Sequence, residues 1–399
     1  MTLPYIQERS RQTQILAEYD VAVVGGGIAG IAAALSSARA GAKTVLLEQQ
    51  YLLGGLATIG LVTIYLPLCD GEGQQVSFGI AEELLQLSVA LEGKDAIADW
   101  AQKRKNGQNV RLECTYNPNL MALEAERLLQ EAGVEILYGA PVCDTIVEND
   151  RITALILETR SGRSAIVAKS VVDASGDGIV VRLAGENSAV FQQQNILAAW
   201  YYATESGKYK LHPLGACDNP DKYKTNEEKA KTQPRYVGLD FQELSRFTQD
   251  AHRALMEHYL KKGTPSEDYQ LAMISSIPQI RMTRRLAGVT ELDEPDTAVS
   301  FEDSIGLISN WKHRGPIYEI PFSCLYGKTI KNLITAGRCI SVTDTMWDNT
   351  RVIPACAVTG EAAGLAAAMT NDFTKFSVAE LQQKLQERKI PLHIRDLKG

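Results

Sequence analysis

The sequence lacks the cysteine and histidine patterns that hold metal ions or disulfide networks. Its 399 residues contain seven cysteines, an odd number that are widely spaced, and no two of them stand in C-x-x-C order. This usage predicts reduced thiols in a cytoplasmic protein and disfavours a disulfide framework, a zinc ribbon and a dithiol redox pair. None of the five histidines belongs to an H-E-x-x-H motif, so no metal site is predicted.

The sequence also has no strong excess of one charge sign, and neither a leader peptide nor a membrane span is expected. Lys and Arg number 41 and Asp and Glu 48, and the net charge of −7 disfavours nucleic-acid binding. Residues 1–18 are polar and have no apolar core of signal-peptide length. Residues 21–38 are apolar, but they contain four glycines and change periodicity, which argues against a transmembrane helix. We therefore expect a soluble protein of the cytoplasm.

A glycine-rich turn stands between a strand pattern and a helix pattern near the start of the chain. Residues 19–24 and 43–47 are typical of buried strands, and residues 31–40 are typical of a helix. The first strand leads into a turn of the form G-x-G-x-x-G, and Glu48 closes the second strand. In this context the turn predicts a dinucleotide site, whereas a lone turn of this form is often only structural. Its residues are Gly25, Gly26, Gly27, Ile28, Ala29 and Gly30.

Each part of this unit has a physical reason. Gly25 permits the tight turn, Gly27 lets the backbone approach a pyrophosphate, and Gly30 lets the helix pack close to the strand. The helix N-terminus offers N–H groups and the positive end of its dipole to the phosphates. The Glu48 carboxylate can accept hydrogen bonds from a ribose diol. The unit therefore predicts binding of a dinucleotide with an unphosphorylated 2′-hydroxyl.

A second pair of glycines favours FAD over NAD as that dinucleotide. Glu48 and Gln49 are soon followed by Gly54-Gly55 and then by Leu56, Ala57 and Thr58. Adjacent glycines at this point predict a second backbone loop that faces the ligand. The ribityl chain of a flavin needs such a loop, whereas the chain of an NAD site would usually return to a helix.

Further segments carry a family resemblance along nearly the whole chain. They are residues 20–48, 54–58, 171–178, the Thr283-Arg284-Arg285 triplet with Gly288, and residues 332–341, which continue into 350–354 and 360–364. In content and order they resemble the broad family of FAD-dependent oxidoreductases with the glutathione-reductase-type FAD-binding fold. The resemblance implies an α/β fold, in which a Rossmann-like FAD-binding domain has a parallel sheet and a small antiparallel meander. An inserted α+β substrate domain interrupts it.

The resemblance also implies which residues contact FAD. Val142 would lie beside the adenine, residues 174–176 would pass close to the cofactor, and Gly337 and Arg338 would follow the ribityl chain and phosphates. The last long helix, beginning near Val352, would point its N-terminus at the flavin pyrimidine, where the reduced flavin carries negative charge. The purely structural alternatives are an ordinary strand–helix unit around Val142 and a plain turn at residues 174–176. The implied contacts are Gly25, Gly27, Ile28, Ala29, Gly30, Glu48, Gln49, Gly55, Leu56, Ala57, Thr58, Val142, Ala174, Ser175, Gly176, Gly337, Arg338 and Val352.

Periodicity and composition predict the remaining elements and the domains. Gly360 and Gly364 suit close packing of the last long helix against the sheet. The predicted organisation is an N-terminal extension (1–18), a discontinuous FAD-binding domain (19–185 and 319–375), an inserted substrate domain (186–318) and a C-terminal helix and tail (376–399). Helices are predicted over 119–132, 241–262, 352–369 and 377–388, a strand meander over 144–172, strands at 134–137, 191–194, 200–202 and 330–336, and an exposed Lys-rich loop over 219–234.

Three polar side chains near the predicted flavin face are candidates for catalysis. Arg351 could stabilise the reduced flavin or bind a carboxylate, with a structural ion pair as the alternative. Asp344 could act as a base, or be a solvated or capping aspartate. His313 could exchange protons near neutral pH, or be an ordinary loop histidine.

A basic cluster and two cysteines complete the candidate residues. Arg281 and Arg284, with the adjacent Arg285, could bind an anionic substrate, or they could pair structurally with acids at 291, 293 or 296. Cys339 and Cys356 flank the last flavin segment, where buried inert thiols are the default. Covalent attachment of the flavin is left open.

These features predict an FAD-dependent oxidoreductase, either a dehydrogenase or a reductase. It would move two electrons to or from a small organic substrate by hydride exchange with flavin N5. An oxygen-using flavin hydroxylase and an electron-relay subunit are the alternatives, and the lack of iron–sulfur cysteine spacing disfavours the relay. A second complete G-x-G-x-x-G is absent, so no NADPH domain is predicted and the external electron partner is left open. A homodimer is the expected assembly.

Overall fold

The computed structural model describes residues 6–108, 110–215 and 233–397, and the predicted Lys-rich loop lies almost entirely outside them. The strands are β1 (Gln14–Val24), β2 (Thr44–Glu48), β3 (Ile64–Tyr65), β4 (Cys114–Thr115), β5 (Glu135–Tyr138), β6 (Val142–Glu148), β7 (Arg151–Thr159), β8 (Gly162–Asp173), β9 (Ser188–Val190), β10 (Tyr201–Glu205), β11 (Lys208–His212), β12 (Tyr269–Ile274), β13 (Arg284–Leu286), β14 (Ser304–Ser309), β15 (Ile317–Pro321) and β16 (Leu333–Thr335). The α-helices are α1 (Ile28–Arg39), α2 (Ile80–Ala90), α3 (Ala96–Lys105), α4 (Pro118–Glu131), α5 (Ile179–Leu183), α6 (Phe241–Lys262), α7 (Asp344–Thr350), α8 (Ile353–Met369) and α9 (Val378–Glu387).

The main sheet has seven strands and mixes parallel and antiparallel pairing. Its order is β5-β2-β1-β8-β7-β6, and β16 also pairs with β8. The pairs β1–β2, β1–β8, β2–β5 and β8–β16 are parallel, while β6, β7 and β8 form the predicted antiparallel meander. This is the predicted α/β fold with a parallel sheet and a small meander.

The register of the parallel strands brings their carboxyl ends to one edge of the sheet. Val24 stands opposite Leu47 of β2 and opposite Asp173 of β8, and Asp173 stands opposite Thr335 of β16. The turns that follow these strands therefore meet at the same edge. In open α/β sheets, ligands bind in the crevice at this edge.

Helices α1 and α8 pack against each other more closely than ordinary side chains would allow. A Cβ atom on Gly360 would lie 2.3 Å from the Ala29 carbonyl oxygen, and one on Gly364 would lie 2.0 Å from that of Ala33. From Gly360 to Gly364 the contacted residue changes from Ala29 to Ala33, which is four positions further along each helix. The two helices therefore run parallel. The prediction that these glycines pack against the sheet was wrong, because they face α1.

The segment between β9 and β13 builds a small unit of its own. The sheet β11-β10-β12 packs against α6, and Tyr201, Phe247, Leu255 and Tyr259 are buried between them. The predicted strand at 191–194 was wrong. The chain turns after β9, with Gln194 in the left-handed region at φ 58°, and the buried Phe191 donates its N–H to the Thr283 carbonyl.

The main core includes part of the segment assigned to the insert. Ile305 and Ile308 of β14 belong to the same buried cluster as α1 and α8, and a Cβ on Gly306 would meet Val358 of α8 at 2.9 Å. The domain boundaries stay a prediction. Among the described residues, no single helix combines the length and apolar composition needed to cross a membrane. The consecutive α7 and α8 would pass that test together, but their axes meet at 87°.

Candidate functional site

A long cleft opens at the carboxyl edge of the parallel strands. One wall is the β1–α1 turn with the Gly54-Gly55 loop, and the other is formed by the turns after β8 and β16. Residues between 238 and 283 and residues at the start of α8 also line the cleft. The main lining residues are Gly25, Gly27, Ile28, Ala29, Glu48, Gln49, Gly55, Leu56, Ala57, Ile59, Val142, Ala174, Ser175, Gly176, Asp177, Leu244, Ile277, Pro278, Ile280, Thr283, Arg338, Arg351, Ile353 and Cys356.

The glycines of the first turn serve two different purposes. Gly25 has a left-handed φ of 102°, and a Cβ there would meet the Ala174 carbonyl oxygen at 2.6 Å. A Cβ on Gly30 would lie 1.8 Å from the Gly25 carbonyl oxygen, whereas one on Gly27 would have nothing within 4 Å. Packing within the protein thus requires Gly25 and Gly30. Gly27 instead keeps open a space inside the cleft, as close approach of a pyrophosphate requires.

Two helix N-termini begin at the cleft. Helix α1 starts after Gly27 and α8 after Val352, and neither cap residue makes a side-chain capping hydrogen bond. The first N–H groups of a helix have no intrahelical partner, and they carry the positive end of the dipole. The cleft therefore suits a ligand with negative charge near both positions.

Glu48 is fixed beside the first turn. Its side chain accepts hydrogen bonds from the N–H of Gly26 at 2.6 Å and of Gln50 at 2.7 Å, and the residue is only 6% exposed. Burial raises the pKa of Glu48, and the backbone hydrogen bonds oppose that rise. Because each carboxylate oxygen has further lone pairs, this side chain can still accept a ribose hydroxyl.

Asp173 has a buried carboxylate that fixes the turn after β8, and the sequence analysis did not single out this residue. Its carboxylate accepts hydrogen bonds from the Ser175 hydroxyl at 2.6 Å and from the backbone N–H groups of Ser175, Val180 and Val181 at 2.8–3.0 Å. It thereby caps α5 and holds the turn at 174–178 against the cleft. The sequence signal was an aspartate at the end of an apolar strand, followed by small residues.

Four of the residues that were predicted to contact FAD do not line the cleft but lie behind the residues that do. Gly30 packs under the first turn, and Thr58 braces the Gly54-Gly55 loop by donating to the Leu53 carbonyl. Gly337, at φ 72°, donates its N–H to the Thr359 hydroxyl at 3.0 Å and fits between α1 and α8. Val352 caps α8. The other predicted contacts line the cleft.

Arg351 lines the cleft and belongs to a buried charge cluster. Its Nε and Nη2 atoms donate to Asp348 Oδ1 at 2.9 and 2.5 Å, and Lys312 Nζ donates to Asp348 Oδ2 at 2.6 Å. The Asp348 side chain is 1% exposed. Burial alone would raise the pKa of Asp348, but the two adjacent cations and their hydrogen bonds hold it below its usual value. The sequence did not reveal this cluster, because Lys312 and Asp348 are far apart along the chain.

The other candidate residues lie outside the lining of the described cleft. Asp344 begins α7 and accepts the Gln192 N–H at 2.8 Å, and His313 is exposed and donates its backbone N–H to Asn310. The Arg281 guanidinium lies 5.3 Å from the Trp200 ring centroid, and Arg284 Nη1 donates to the Asp177 carbonyl at 3.4 Å. Arg285 pairs with Glu291 at 2.6 Å. Catalytic roles for Asp344 and His313, and substrate binding by Arg281 and Arg284, stay predictions.

Residues 275–281 cross the cleft as a strap that the sequence did not predict. At one wall, the Ser275 hydroxyl and the Ser276 N–H donate to the Ile59 carbonyl at 3.2 and 3.1 Å. Gln279 Nε2 donates to the Gly60 carbonyl at 2.8 Å. At the other wall, Arg338 Nη1 donates to the carbonyls of residues 280 and 281 at 2.9 and 2.8 Å. The strap therefore joins both walls and presents apolar side chains to the space beneath.

We expect the cleft thiol to be unreactive. Burial raises the pKa of Cys356 to about 12, so the thiol stays protonated at pH 8. Cys143 is exposed and serves as the internal control. Iodoacetamide at pH 8, followed by peptide mass spectrometry of the native protein, should modify Cys143 and leave Cys356 intact. Rapid alkylation of Cys356 in protein that is still folded would contradict this expectation.

Comparison with known proteins agrees with these features. The probable electron transfer flavoprotein-quinone oxidoreductase YgcN of Escherichia coli (strain K12) is 30% identical over 181 residues, 43% of this chain and 41% of that protein. The thiamine thiazole synthase of Aeropyrum pernix is 33% identical over 189 residues, 43% of this chain and 60% of that protein. The chain thus spans about half the length of these curated relatives.

A solved structure and a family model extend the comparison over most of the chain. The crystal structure of p-nitrophenol 4-monooxygenase PnpA from Pseudomonas putida DLL-E4 aligns with a TM-score of 0.50 at 13% identity, over 93% of this chain and 85% of that one, which shows a shared fold. Residues 20–199 and 186–387 match the family model for FAD dependent oxidoreductases. The chain therefore belongs to the FAD-dependent oxidoreductase family, and FAD is its cofactor.

Proposed function

We propose that this protein catalyses a two-electron oxidation or reduction of a small organic molecule in a chamber beneath the strap. The observation that carries the proposal is the strap itself, which is tied to both walls of a cleft that residues at the start of α8 also line. Bound FAD supplies the centre that accepts or gives the electron pair as hydride. The residues of this chain supply the enclosure, the orientation and the charge around it.

The chamber combines an apolar roof with a charged end. Ile277, Pro278 and Ile280 of the strap line it from above, and Ile59 lines it from one wall. Exclusion of water by these side chains strengthens electrostatic interactions inside the chamber. Arg351 and the N-terminus of α8 bring positive charge to its end, where they stabilise negative charge on a ligand.

Anaerobic reduction of the purified holoprotein tests the proposal. If the function is correct, a small metabolite will bleach the visible flavin absorbance in the absence of any other protein. Bleaching only by a partner protein would replace the proposal with an electron-relay role. Oxygen consumption coupled to a hydroxylated product would replace it with a flavin hydroxylase.

We expect Gln279→Leu to impair turnover without loss of FAD. Gln279 is 2% exposed, and its side chain bonds the Gly60 carbonyl and both the N–H and the carbonyl of Trp200. Leucine would leave these buried groups without their partner and loosen the roof, so kcat/KM should fall about tenfold. Steady-state kinetics and FAD stoichiometry give the two readouts.

Gln383→Leu is the matched control for this substitution. Gln383 is an exposed glutamine on α9, and the same change there should leave kcat/KM within twofold of the native protein. Unchanged kinetics for Gln279→Leu, or a loss of activity explained entirely by loss of FAD, would refute the role of the strap.

A further inference from the structure

We propose that Arg338 is a positioning residue that couples the binding of FAD to closure of the strap. Its side chain lines the cleft, and it also donates to the backbone of the strap. The roof over the cleft is then completed only when the cofactor is bound. The inference goes beyond the proposed function, because it concerns the order of the strap and not the reaction beneath it.

The backbone of Arg338 is a fixed part of the wall beside α1. A Cβ on the preceding Gly337 would lie 2.7 Å from the Cβ of Ala29, which is in the first turn of α1. The indole N–H of the buried Trp347 donates to the Arg338 carbonyl at 2.7 Å. The Arg338 side chain therefore extends from a rigid position next to the helix N-terminus that begins at the cleft.

The two terminal nitrogens of the Arg338 guanidinium contact different elements. Nη1 donates to the carbonyls of Ile280 and Arg281 at 2.9 and 2.8 Å. Nη2 is adjacent to the turn after β8, where a Cβ on Gly176 would clash with it and Asp177 Oδ1 lies 3.7 Å away. Both residues of this turn line the cleft. Because the guanidinium is a rigid planar fork, the strap and this wall of the cleft are joined through one group.

The location of this group in the cleft gives the physical reason for the coupling. The Arg338 side chain is 17% exposed and lies among the lining residues. FAD in the cleft removes water from beside the guanidinium, and hydrogen bonds to the strap carbonyls are stronger in drier surroundings. The effect is reciprocal, so a cofactor that favours the closed strap is itself held more tightly by the closed form.

A second bond near the same end of the strap is separated from it by a fixed point. The Thr283 hydroxyl bonds a carboxylate in the turn after β8 at 2.7 Å. The Asn195 side chain accepts the N–H groups of residues 281 and 282 at 3.3 and 3.2 Å, and so fixes them to the insert. Thr283 follows these fixed residues, whereas Arg338 reaches Ile280, which precedes them. We therefore assign the coupling to Arg338 and not to Thr283.

Hydrogen exchange of the apoprotein and of the FAD-loaded protein tests the coupling. The reporter is the Ser276 amide, which donates to the Ile59 carbonyl at 3.1 Å at the other wall. Because Ser276 lies outside the lining of the described cleft, its exchange reports opening of the strap and not burial by the cofactor itself. We expect saturation with FAD to slow this exchange about tenfold, measured by mass spectrometry with single-residue resolution.

A matched amide separates closure of the strap from general stabilisation. Ser206 is also an exposed serine of the insert, and its N–H donates to the Asp268 carbonyl at 3.0 Å. FAD should change the exchange of this amide by less than twofold. Equal slowing at Ser206 and Ser276 would show that FAD stabilises the insert as a whole, which overturns the proposal.

Three variants assign the residue. Arg338→Lys keeps the charge but replaces the fork by one ammonium, which cannot serve the strap and the turn together. With bound FAD verified by absorbance, its effect on Ser276 exchange should fall below twofold. Thr283→Val should retain the tenfold effect. Arg253→Lys is the control, because Arg253 is 68% exposed on α6 and pairs only with a neighbour on that helix among the printed contacts of the described residues, so this variant should behave as wild type.

The wild-type comparison decides the coupling even if Arg338→Lys does not retain FAD. Equal exchange of Ser276 in the apoprotein and the loaded protein overturns it. If Arg338 only held the strap, lysine would speed exchange equally with and without FAD, and the tenfold effect would persist. That persistence, or loss of the effect in Thr283→Val, overturns the assignment to Arg338. Since no readout requires turnover, failure of the proposed redox function would leave this result intact.

Discussion

Gly30→Ala is expected to abolish FAD binding and to destabilise the protein. The new Cβ would lie 1.8 Å from the Gly25 carbonyl oxygen, which is backbone and cannot move aside alone. Helix α1 would have to shift away from the turn, at an expected cost of about 3 kcal/mol in the free energy of unfolding. Fluorescence titration with FAD and thermal unfolding of the apoprotein are the measurements.

Gly27→Ala is the matched partner of this substitution. A Cβ on Gly27 has nothing within 4 Å, and its φ of −69° suits any residue. The apoprotein should therefore unfold at the native temperature, while FAD affinity falls by about tenfold or more as the methyl group enters the ligand's space. Native FAD affinity in Gly27→Ala would show that Gly27 does not keep space open for FAD. Native stability in Gly30→Ala would show that the packing of α1 against the turn does not require a glycine at position 30.

Gly364→Ala is expected to separate the two helices that support the cleft. The Cβ would lie 2.0 Å from the Ala33 carbonyl oxygen. Alanine is intrinsically the better helix former by about 1 kcal/mol, so a simple propensity argument predicts stabilisation. We expect overpacking against backbone to exceed this gain and to lower the free energy of unfolding by about 2 kcal/mol, measured by urea denaturation.

Ala368→Ser serves as the control for the helix packing. It also adds one heavy atom to α8, but at a partly exposed position. This change should leave the free energy of unfolding within about 0.5 kcal/mol of the native value. If Gly364→Ala were as stable as this control, the close approach of α1 and α8 would not be a requirement of the fold.

The sequence was informative where neighbouring residues decide the structure. The strand, turn and helix around Gly25 to Gly30 follow from local periodicity and glycine placement, and helix α6 has the bounds that its pattern predicted. Most of the residues that the family motifs predicted to contact FAD line the cleft. The predicted strand at 191–194 failed because the chain turns there to bury Phe191 under a distant segment.

The strap and the charge cluster show what local patterns leave out. Nothing near Gln279 in the chain indicates that its side chain bonds Gly60. Asp348 belongs to no sequence motif, although its carboxylate pairs with two cations, one of which, Arg351, lines the cleft. The sequence grouped Arg281 with Arg284 as a possible anion site, and it did not indicate that Arg281 is buried beside Trp200.

By itself the sequence determined the cofactor class, the fold class and the residues of the first turn. These depend on backbone conformations and periodicities that a short segment specifies through its own sterics. Only the tertiary structure decided which helix faces Gly364, how the strap closes the cleft, and which charges surround Arg351. Those features arise from contacts between residues far apart in the chain, and their energies depend on burial and distance, which exist only once the chain has folded.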